Sequence, residues 1–290
     1  MPDDDPQIWS PPGTPEAPPG WQAEPDSTGP WAVPVDAQPP IEGPRWGMGD
    51  VAIGIGLYFV IQVIASVVLI VGFLAFSDQS LTDLTDPETS GDFGLWSLAV
   101  AAPMSWMVMI GWPIIVSKWK GTGRLSLDFG FAFKWIDLAV GTGGGIVCLI
   151  VGGIAGVTFQ AVFGDQAPTN TDIIPTDSLT PAKVALLLLL IAVGTPIAEE
   201  TFFRGMFLGA ARKRWGTVLG VVISSAGFGL AHIQPTLTGW LYVGVVTGSY
   251  GVVFALLRVF SKGRLGASIV AHMVVNGIGV LAVAYGLDGV

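Results

Sequence analysis

The chain has 290 residues, of which 51% are hydrophobic and only 12% are charged, about half of the ~25% charged fraction of a soluble domain. Together with 40 glycines and a mean hydropathy of +0.64, this composition excludes an ordinary soluble domain and predicts an integral membrane protein. The 13 Lys and Arg residues are too few and too scattered for nucleic-acid binding. The single cysteine, Cys148, excludes an intrachain disulfide and a multi-cysteine metal site.

The first 45 residues predict a disordered tail. Residues 1–44 hold thirteen of the 21 prolines and eight acidic residues, with no Lys or Arg. Such a segment buries too little apolar surface to offset the entropy lost on ordering. Trp9, Trp21 and Trp31 recur at roughly ten-residue intervals. They either dock a partner protein or the membrane surface, or belong to a tail that only solubilises the chain.

Residues 46–290 predict an all-α transmembrane bundle of about seven helices. Apolar stretches long enough to cross a bilayer, which takes about 20 residues, alternate there with short polar joints. Only helices satisfy their own backbone groups inside the hydrocarbon core, so open strands are excluded. The predicted spans are 49–76, 94–116, 136–163, 182–206, 216–233, 238–259 and 265–286.

The basic residues predict the orientation of the bundle. Ten of them fall in three joints on one side: Lys118, Lys120, Arg124 and Lys134, then Arg212, Lys213 and Arg214, then Arg258, Lys262 and Arg264. Arg45 precedes the first span on the same side, whereas the joints 77–93 and 164–181 on the other side hold eight acidic residues. By the positive-inside rule the N terminus is cytoplasmic and the C terminus lies outside, and we expect a plasma-membrane protein.

Ionisable residues inside the spans concentrate in the second half of the chain. With one strongly polar companion, they are Glu199, Glu200, Arg204, His232, His272 and Asn276. Burying an ionised side chain near the bilayer centre costs about 2.5–3.5 kcal/mol by insertion scales. Since the first three spans carry ionisable residues only at their ends, this concentration indicates a functional site.

The spacing of these residues suggests separate roles. Glu200 and Arg204 lie four apart on one helix face and can pair, which leaves Glu199, about 100° around the helix, as the candidate general base. Pro196 lies one turn earlier, lacks a backbone donor and frees the carbonyl of Ala192. A local opening there could admit water beside Glu199.

Two further spans supply polar groups that suit peptide-bond hydrolysis. Phe228 and His232 share a face at the end of the fifth span, and His272 and Asn276 share a face of the seventh. An imidazole and a carboxamide aimed at one point can stabilise an oxyanion. With a carboxylate base and a water-orienting imidazole, the parts for hydrolysis by activated water are present.

Each of these features also has a structural interpretation. Glu200 and Arg204 can form a buried pair that only braces the bundle, and an intramembrane His with Asn can join helices through hydrogen bonds worth about 1 kcal/mol. Cys148 lies among Val, Leu and Ile and is interpreted as packing. The chain has neither a His-Glu-x-x-His zinc protease motif nor a Gly-x-Ser-x-Gly elbow.

Three ordered motifs carry a resemblance to a known family. They are Glu199-Glu200-Thr201-Phe202-Phe203-Arg204, then Phe228-x-x-x-His232, then His272-x-x-x-Asn276. This series resembles the signature of the CAAX protease and bacteriocin-processing family, intramembrane glutamic endopeptidases similar to the CAAX prenyl endopeptidase of eukaryotes. The resemblance covers about residues 95–285, which would form the protease core.

The resemblance implies a role for each residue. Glu199 would activate water with help from His232, while His272 and Asn276 would stabilise the oxyanion, and Glu200, Arg204 and Phe228 would support the site. It implies no cofactor, although zinc stays as an alternative because two His and two Glu could supply ligands. The implied substrates are membrane-bound or lipidated, CAAX-type peptides or proteins, and membrane lipids are the expected partners. The resemblance does not extend to the tail, for which a binding protein is a separate expectation.

Two rival functions remain at this stage. A non-catalytic member of the same family would bind a partner or protect its host from a peptide toxin. A proton-coupled transporter would use Glu, Arg and His as a relay, but it predicts paired inverted repeats, and the ionisable residues lie only in the second half.

Overall fold

The computed structural model describes residues 44–76, 87–164 and 179–287, and all regular secondary structure in these ranges is helical. The predicted tail therefore lies almost wholly outside the described residues. The elements are α1 (Met48–Phe76), α2 (Pro87–Lys120), α3 (Leu125–Asp128), α4 (Ile136–Phe163), α5 (Pro181–Leu187), π1 (Leu188–Gly194), α6 (Thr195–Glu199), π2 (Glu200–Phe207), α7 (Leu208–Leu230), α8 (Leu237–Phe260) and α9 (Gly266–Ala284).

The outer surface of the helices is apolar, as expected of a protein that spans a membrane. In α1 the small or apolar residues Val51, Gly54 and Ala65 face the other helices, while Val63 and Val71 are 65% and 59% exposed. Among the described residues, six helices are long and apolar enough to cross a bilayer. Exposed apolar surface of this extent requires lipid around it, which confirms the predicted polytopic all-α membrane protein.

One of these six helices, Pro181–Leu230, is two arms joined at Gly216. Gly216 has φ 81° and ψ 176°, a conformation that is essentially restricted to glycine. Beyond it the chain folds back on itself, so that Gly227 packs on Phe207 and the rings of Phe203 and Phe228 lie 5.1 Å apart. Dividing the helix at Gly216 yields seven apolar arms, the predicted number.

The predicted joint between the fourth and fifth spans was misplaced. Arg212, Lys213 and Arg214 are helical, because the reversal occurs at Gly216 rather than at the basic residues. The returning arm, 217–230, is about 21 Å long at 1.5 Å per residue and so is shorter than the ~30 Å hydrocarbon core. Its end, and His232 just after it, therefore lie level with Glu200, sixteen residues before the turn.

Small residues set the packing at the centre of the bundle. Side chains of α9 cover Gly141 and Gly145 on α4, and Tyr250 of α8 covers Gly152. A Cβ at Gly229 of α7 would collide with the carbonyl of Gly244 on α8. These glycines thus serve close contact between helices of one bundle.

The cation-rich joints meet at one end of the bundle. The Arg45 amide donates to the carbonyl of Lys120 at 2.7 Å, and Lys213 reaches the carbonyl of Trp46 at 3.4 Å. Arg258 donates to the carbonyl of Phe129 at 3.1 Å. The predicted basic side is therefore a single surface in three dimensions.

Candidate active site

The helix that carries Glu199 and Glu200 alternates between α and π geometry. In π1 the hydrogen bonds skip one residue more than in an α-helix, so the Thr195 amide donates to the carbonyl of Leu190. The next donor would be Pro196, which has no N–H. The carbonyl that lacks a backbone donor is therefore Ile191, not Ala192 as expected from α-helical spacing.

Asn276 supplies the hydrogen-bond donor that this carbonyl lacks in the backbone. Its Nδ2 donates to the carbonyl of Ile191 at 2.9 Å. One of the two amide hydrogens is thus used inside the protein, and one is left for another acceptor. Asn276 lies one helical turn from His272 on α9, as the sequence spacing predicts.

The predicted pair of Glu200 and Arg204 forms. Arg204 Nη1 lies 3.0 Å from Glu200 Oε1, and both side chains are fully buried. The guanidinium also lies over the ring of Phe228, 4.1 Å from its centroid, and 5.1 Å from that of Phe254. The electron-rich ring faces help to stabilise a cation that has no access to water. Phe228, which was predicted as a supporting residue, packs against the guanidinium of Arg204.

His272 connects the two neighbouring carboxylates. Its Nδ1 is 3.1 Å from Glu200 Oε1, and its Nε2 is 3.7 Å from Glu199 Oε2. An ionised carboxylate only accepts, so Nδ1 carries the hydrogen and Nε2 faces Glu199. The ring stacks on Phe254 at 4.7 Å and meets the edge of Phe228 at 5.7 Å, which fixes its plane.

Glu199 differs from Glu200 in its surroundings. Its side chain keeps 15% exposure, whereas Glu200 is completely buried. In the part of the chain that the structure describes, Oε2 of Glu199 has no hydrogen-bond partner. A buried, unpartnered carboxylate oxygen is costly unless something binds to it. Oε2 of Glu200 is also without a partner, so the two carboxylates differ in their exposure and not in having a free oxygen.

His232 is anchored by the chain that precedes it. Its Nδ1 lies 2.8 Å from the carbonyl of Phe228, and since a carbonyl only accepts, Nδ1 is the donor. In the neutral ring Nε2 is then an acceptor. No hydrogen bond joins His232 to Glu199 among the described residues, so the structure does not bring these two predicted partners into direct contact.

The first two spans contribute polar groups that the sequence analysis missed. Ser105 donates to Gln62 Oε1 at 2.9 Å, and Tyr58 interacts with both Ser105 and the charge of Glu199. Trp106 Nε1 donates to Thr195 Oγ1 at 3.3 Å, close to Pro196 in sequence. Only ionisable residues and Asn276 were considered in the spans. The sequence did contain a signal for these groups, because uncharged polar residues such as Tyr58 and Gln62 lie four apart within the first span.

The geometry does not fit a metal ion. Within the described ranges, no three His, Cys, Asp or Glu side chains are arranged to hold one. The nearest set is Glu199, Glu200 and His272, but Arg204 occupies Glu200 Oε1. Cys148 is buried among apolar side chains at the α4 interface, as predicted.

Comparison with known proteins shows a similarity in the part of the chain that carries this site. Residues 181–278 match the family described as type II CAAX prenyl endopeptidase Rce1-like. An uncharacterized 24.3 kDa protein of Escherichia coli is 36% identical over 104 residues, which is 34% of this chain and 44% of that protein. The match therefore spans less than half of that relative, and no solved structure gives a significant match. Residues 181–278, which include every polar group from Glu199 to Asn276, are thus similar to the Rce1-like CAAX prenyl endopeptidase family.

Proposed function

We propose that the protein is an intramembrane endopeptidase in which Glu199 activates a water molecule to hydrolyse a peptide bond. The observation that carries this proposal is the contrast between two adjacent carboxylates. Glu200 is buried and neutralised by Arg204 at 3.0 Å, while Glu199 is partly exposed and has one oxygen without a partner. Glu200 also has one oxygen without a hydrogen-bond partner, but a general base needs access to water as well, and of the two side chains only that of Glu199 is exposed.

In the proposed reaction, Glu199 carries the proton from the attacking water to the leaving amine. Glu199 takes a proton from water, and the oxygen of that water attacks the carbonyl carbon of the scissile bond. The C–N bond then breaks, and the proton passes from Glu199 to the leaving amine. The same carboxylate is thus base and then acid.

His272 and Asn276 are the proposed donors to the oxyanion. His272 Nδ1–H is held by Glu200, so a second proton on Nε2 would make this nitrogen a donor beside Glu199. Asn276 has one amide hydrogen beyond the one that binds Ile191. Donors that are already oriented lower the barrier because they need not reorganise as charge develops.

His232 is proposed to orient the attacking water. Its Nδ1 is committed to the carbonyl of Phe228, which leaves Nε2 as an acceptor for a water hydrogen. His232 and Glu200 each lie sixteen residues from the turn at Gly216, so the two residues are level with each other. Glu199 is the neighbour of Glu200 in the chain. A bridging water, rather than a direct contact, is the arrangement that this role requires.

The proposed substrates are membrane-bound or lipidated peptides or proteins of the CAAX type. Two findings support this class: the family description and the apolar outer surface of the bundle, through which a substrate anchored in lipid would approach. We further propose a plasma-membrane location with the N terminus in the cytoplasm, and membrane lipids as partners. No described residue identifies prenyl recognition.

The decisive test is peptide cleavage by the purified protein in liposomes, with a library of lipidated and unlipidated peptides. We expect Glu199→Gln to lower the rate by at least about 100-fold, because the amide has the same shape but cannot take a proton. His272→Ala should lower it by a similar factor, and a strong chelator should leave the wild-type rate unchanged. Thermal unfolding of each variant controls for folding.

Other outcomes would point to different functions. Loss of wild-type cleavage on chelation would restore the zinc alternative. If folded protein cuts no peptide while Glu199→Gln retains its cellular phenotype, the proposal is wrong and a binding or immunity role replaces it.

A further inference from the structure

A cavity of about 410 Å³ opens at the cation-rich end of the bundle. The side chains that matter for its chemistry are Trp46, Asp128, Arg212, Lys213, Thr217 and Arg258. They come from the start of α1, from α3, from both sides of the Gly216 turn and from the end of α8. The cavity is distinct from the candidate active site, since none of its lining residues is Glu199, Glu200, His232, His272 or Asn276.

Three cations line this cavity without forming a direct ion pair to a carboxylate among the described residues. Arg212 Nε donates to Thr217 Oγ1 at 3.3 Å, and Lys213 Nζ lies 3.1 Å from the centroid of the Trp46 ring. Arg258 donates to backbone carbonyls only, including that of Phe129. Across the ranges that the structure covers, none of the three forms an ion pair with Asp or Glu.

Asp128 is the acid of the cavity, and its oxygens are already occupied. It accepts from Ser117 Oγ, from the amide of Thr122 and from Thr122 Oγ1. Three cations and one carboxylate leave an excess of two positive charges. Such an excess, partly shielded from water, attracts an anion that carries more than one acceptor oxygen.

The cavity lies at the level of the membrane surface. It adjoins the first turn of α1, which begins at Met48, and Lys120, at the end of α2, forms an ion pair with Asp50 in that turn. Trp119, one residue before Lys120, is 72% exposed, as expected of an aromatic residue at the interface between hydrocarbon and water. Phosphates of lipid headgroups occur at this level, where basic residues attract anionic lipids.

We propose that this cavity binds a phosphate group, and that in the membrane the phosphate is that of an anionic lipid headgroup. Arg212 and Lys213 present the mobile charges, and the fixed guanidinium of Arg258 forms the inner wall. Arg258 would contact both the ligand and π2, because Arg258 Nη1 also donates to the carbonyls of Arg204 and Gly205. Binding should therefore stabilise the fold, and it does not depend on the proposed proteolysis.

The test is native mass spectrometry of the purified protein with phosphatidylglycerol or phosphatidylcholine added in detergent. We expect phosphatidylglycerol to bind at least about tenfold more tightly, and Arg212→Gln with Lys213→Gln to remove that preference. The matched control is Lys118→Gln with Arg124→Gln, which removes two exposed charges from the same end but outside the cavity. This control should change the affinity by less than about twofold.

Inorganic phosphate distinguishes the two sources of the ligand. If millimolar phosphate displaces phosphatidylglycerol, the site also recognises the free ion; if it does not, the site requires the headgroup in place. Equal affinity for both lipids, or an equal loss in the control pair, would overturn the proposal. The swapped variant Arg212→Lys with Lys213→Arg keeps the charge and should keep binding, which separates lost charge from lost folding.

Discussion

Glu200 and Arg204 form a charge pair from which water is fully excluded. Burying either ion alone would cost several kcal/mol, and their close contact at 3.0 Å offsets part of this cost, although Glu200 Oε2 and the guanidinium nitrogens have no hydrogen-bond partner among the described residues. Here His272 donates to Glu200 and the ring of Phe228 lies under the guanidinium. The pair is therefore a fixed neutral unit, in keeping with the proposal that Glu199 beside it is the general base.

Breaking this pair from one side should be more harmful than removing it. We expect Arg204→Met to lower the free energy of unfolding by about 3–5 kcal/mol, because Glu200 is left buried and unpaired. The double variant Glu200→Gln with Arg204→Met should recover part of that loss. Unfolding in mild detergent measures both, and a double variant less stable than the single one would contradict this account.

At the scale of elements, the two π-helical segments set the direction of the side chains in the candidate active site. π1 ends just before Pro196, and π2 begins at Glu200. Each shifts the hydrogen-bond register by one residue and leaves carbonyls that need a donor from elsewhere. Asn276 supplies one for π1, and Arg258 supplies donors to the carbonyls of Arg204 and Gly205 in π2.

The hydrogen bond from Asn276 to Ile191 can be isolated with a double-variant cycle. Asn276→Ala should cost about 1–2 kcal/mol of stability, because the carbonyl of Ile191 then has no donor. Pro196→Ala restores a backbone N–H at the position that would donate to Ile191. We therefore expect Asn276→Ala to cost less in the Pro196→Ala background, and additive costs would show that the bond is not the cause.

The turn at Gly216 makes a second prediction about an element. Gly216→Ala should destabilise the protein by about 1–3 kcal/mol through backbone strain alone, since nothing lies within 4 Å of the added Cβ. Gly143→Ala is the matched control, because Gly143 is helical and has equally open space. It should stabilise the helix by about 0.5–1 kcal/mol. Thermal unfolding of the two variants should therefore shift in opposite directions.

For the whole molecule, the cation-rich end is the feature on which the proposed orientation rests. The joints that carry most of the basic residues meet there, and the positive-inside rule assigns that end to the cytoplasm. We expect Lys118→Cys and Lys262→Cys to react with a membrane-impermeant thiol reagent only after the cells are opened. Cys148 is buried and serves as the internal negative control. Labelling of both positions in intact cells would reverse the proposed orientation.

The fold class could be derived from sequence because it depends on local composition. Long apolar stretches must become helices in a bilayer, and the cost of buried charge singles out Glu199, Glu200, Arg204 and His272 wherever the helices lie. The pairing of Glu200 with Arg204 was equally predictable, since residues four apart share a helix face. Such inferences need only spacing along one helix.

Only the tertiary structure decided the contacts between helices and the departures from α geometry. A π turn shifts the register by one residue, so the carbonyl freed by Pro196 is Ile191, and Asn276 finds it from another helix. The reversal at Gly216 depends on a positive φ that spacing does not reveal. His272 between two carboxylates, and Tyr58 of the first span near Glu199, depend on how α9 and α1 pack against the site. Packing of whole helices is a non-local property, and no single stretch of sequence encodes it.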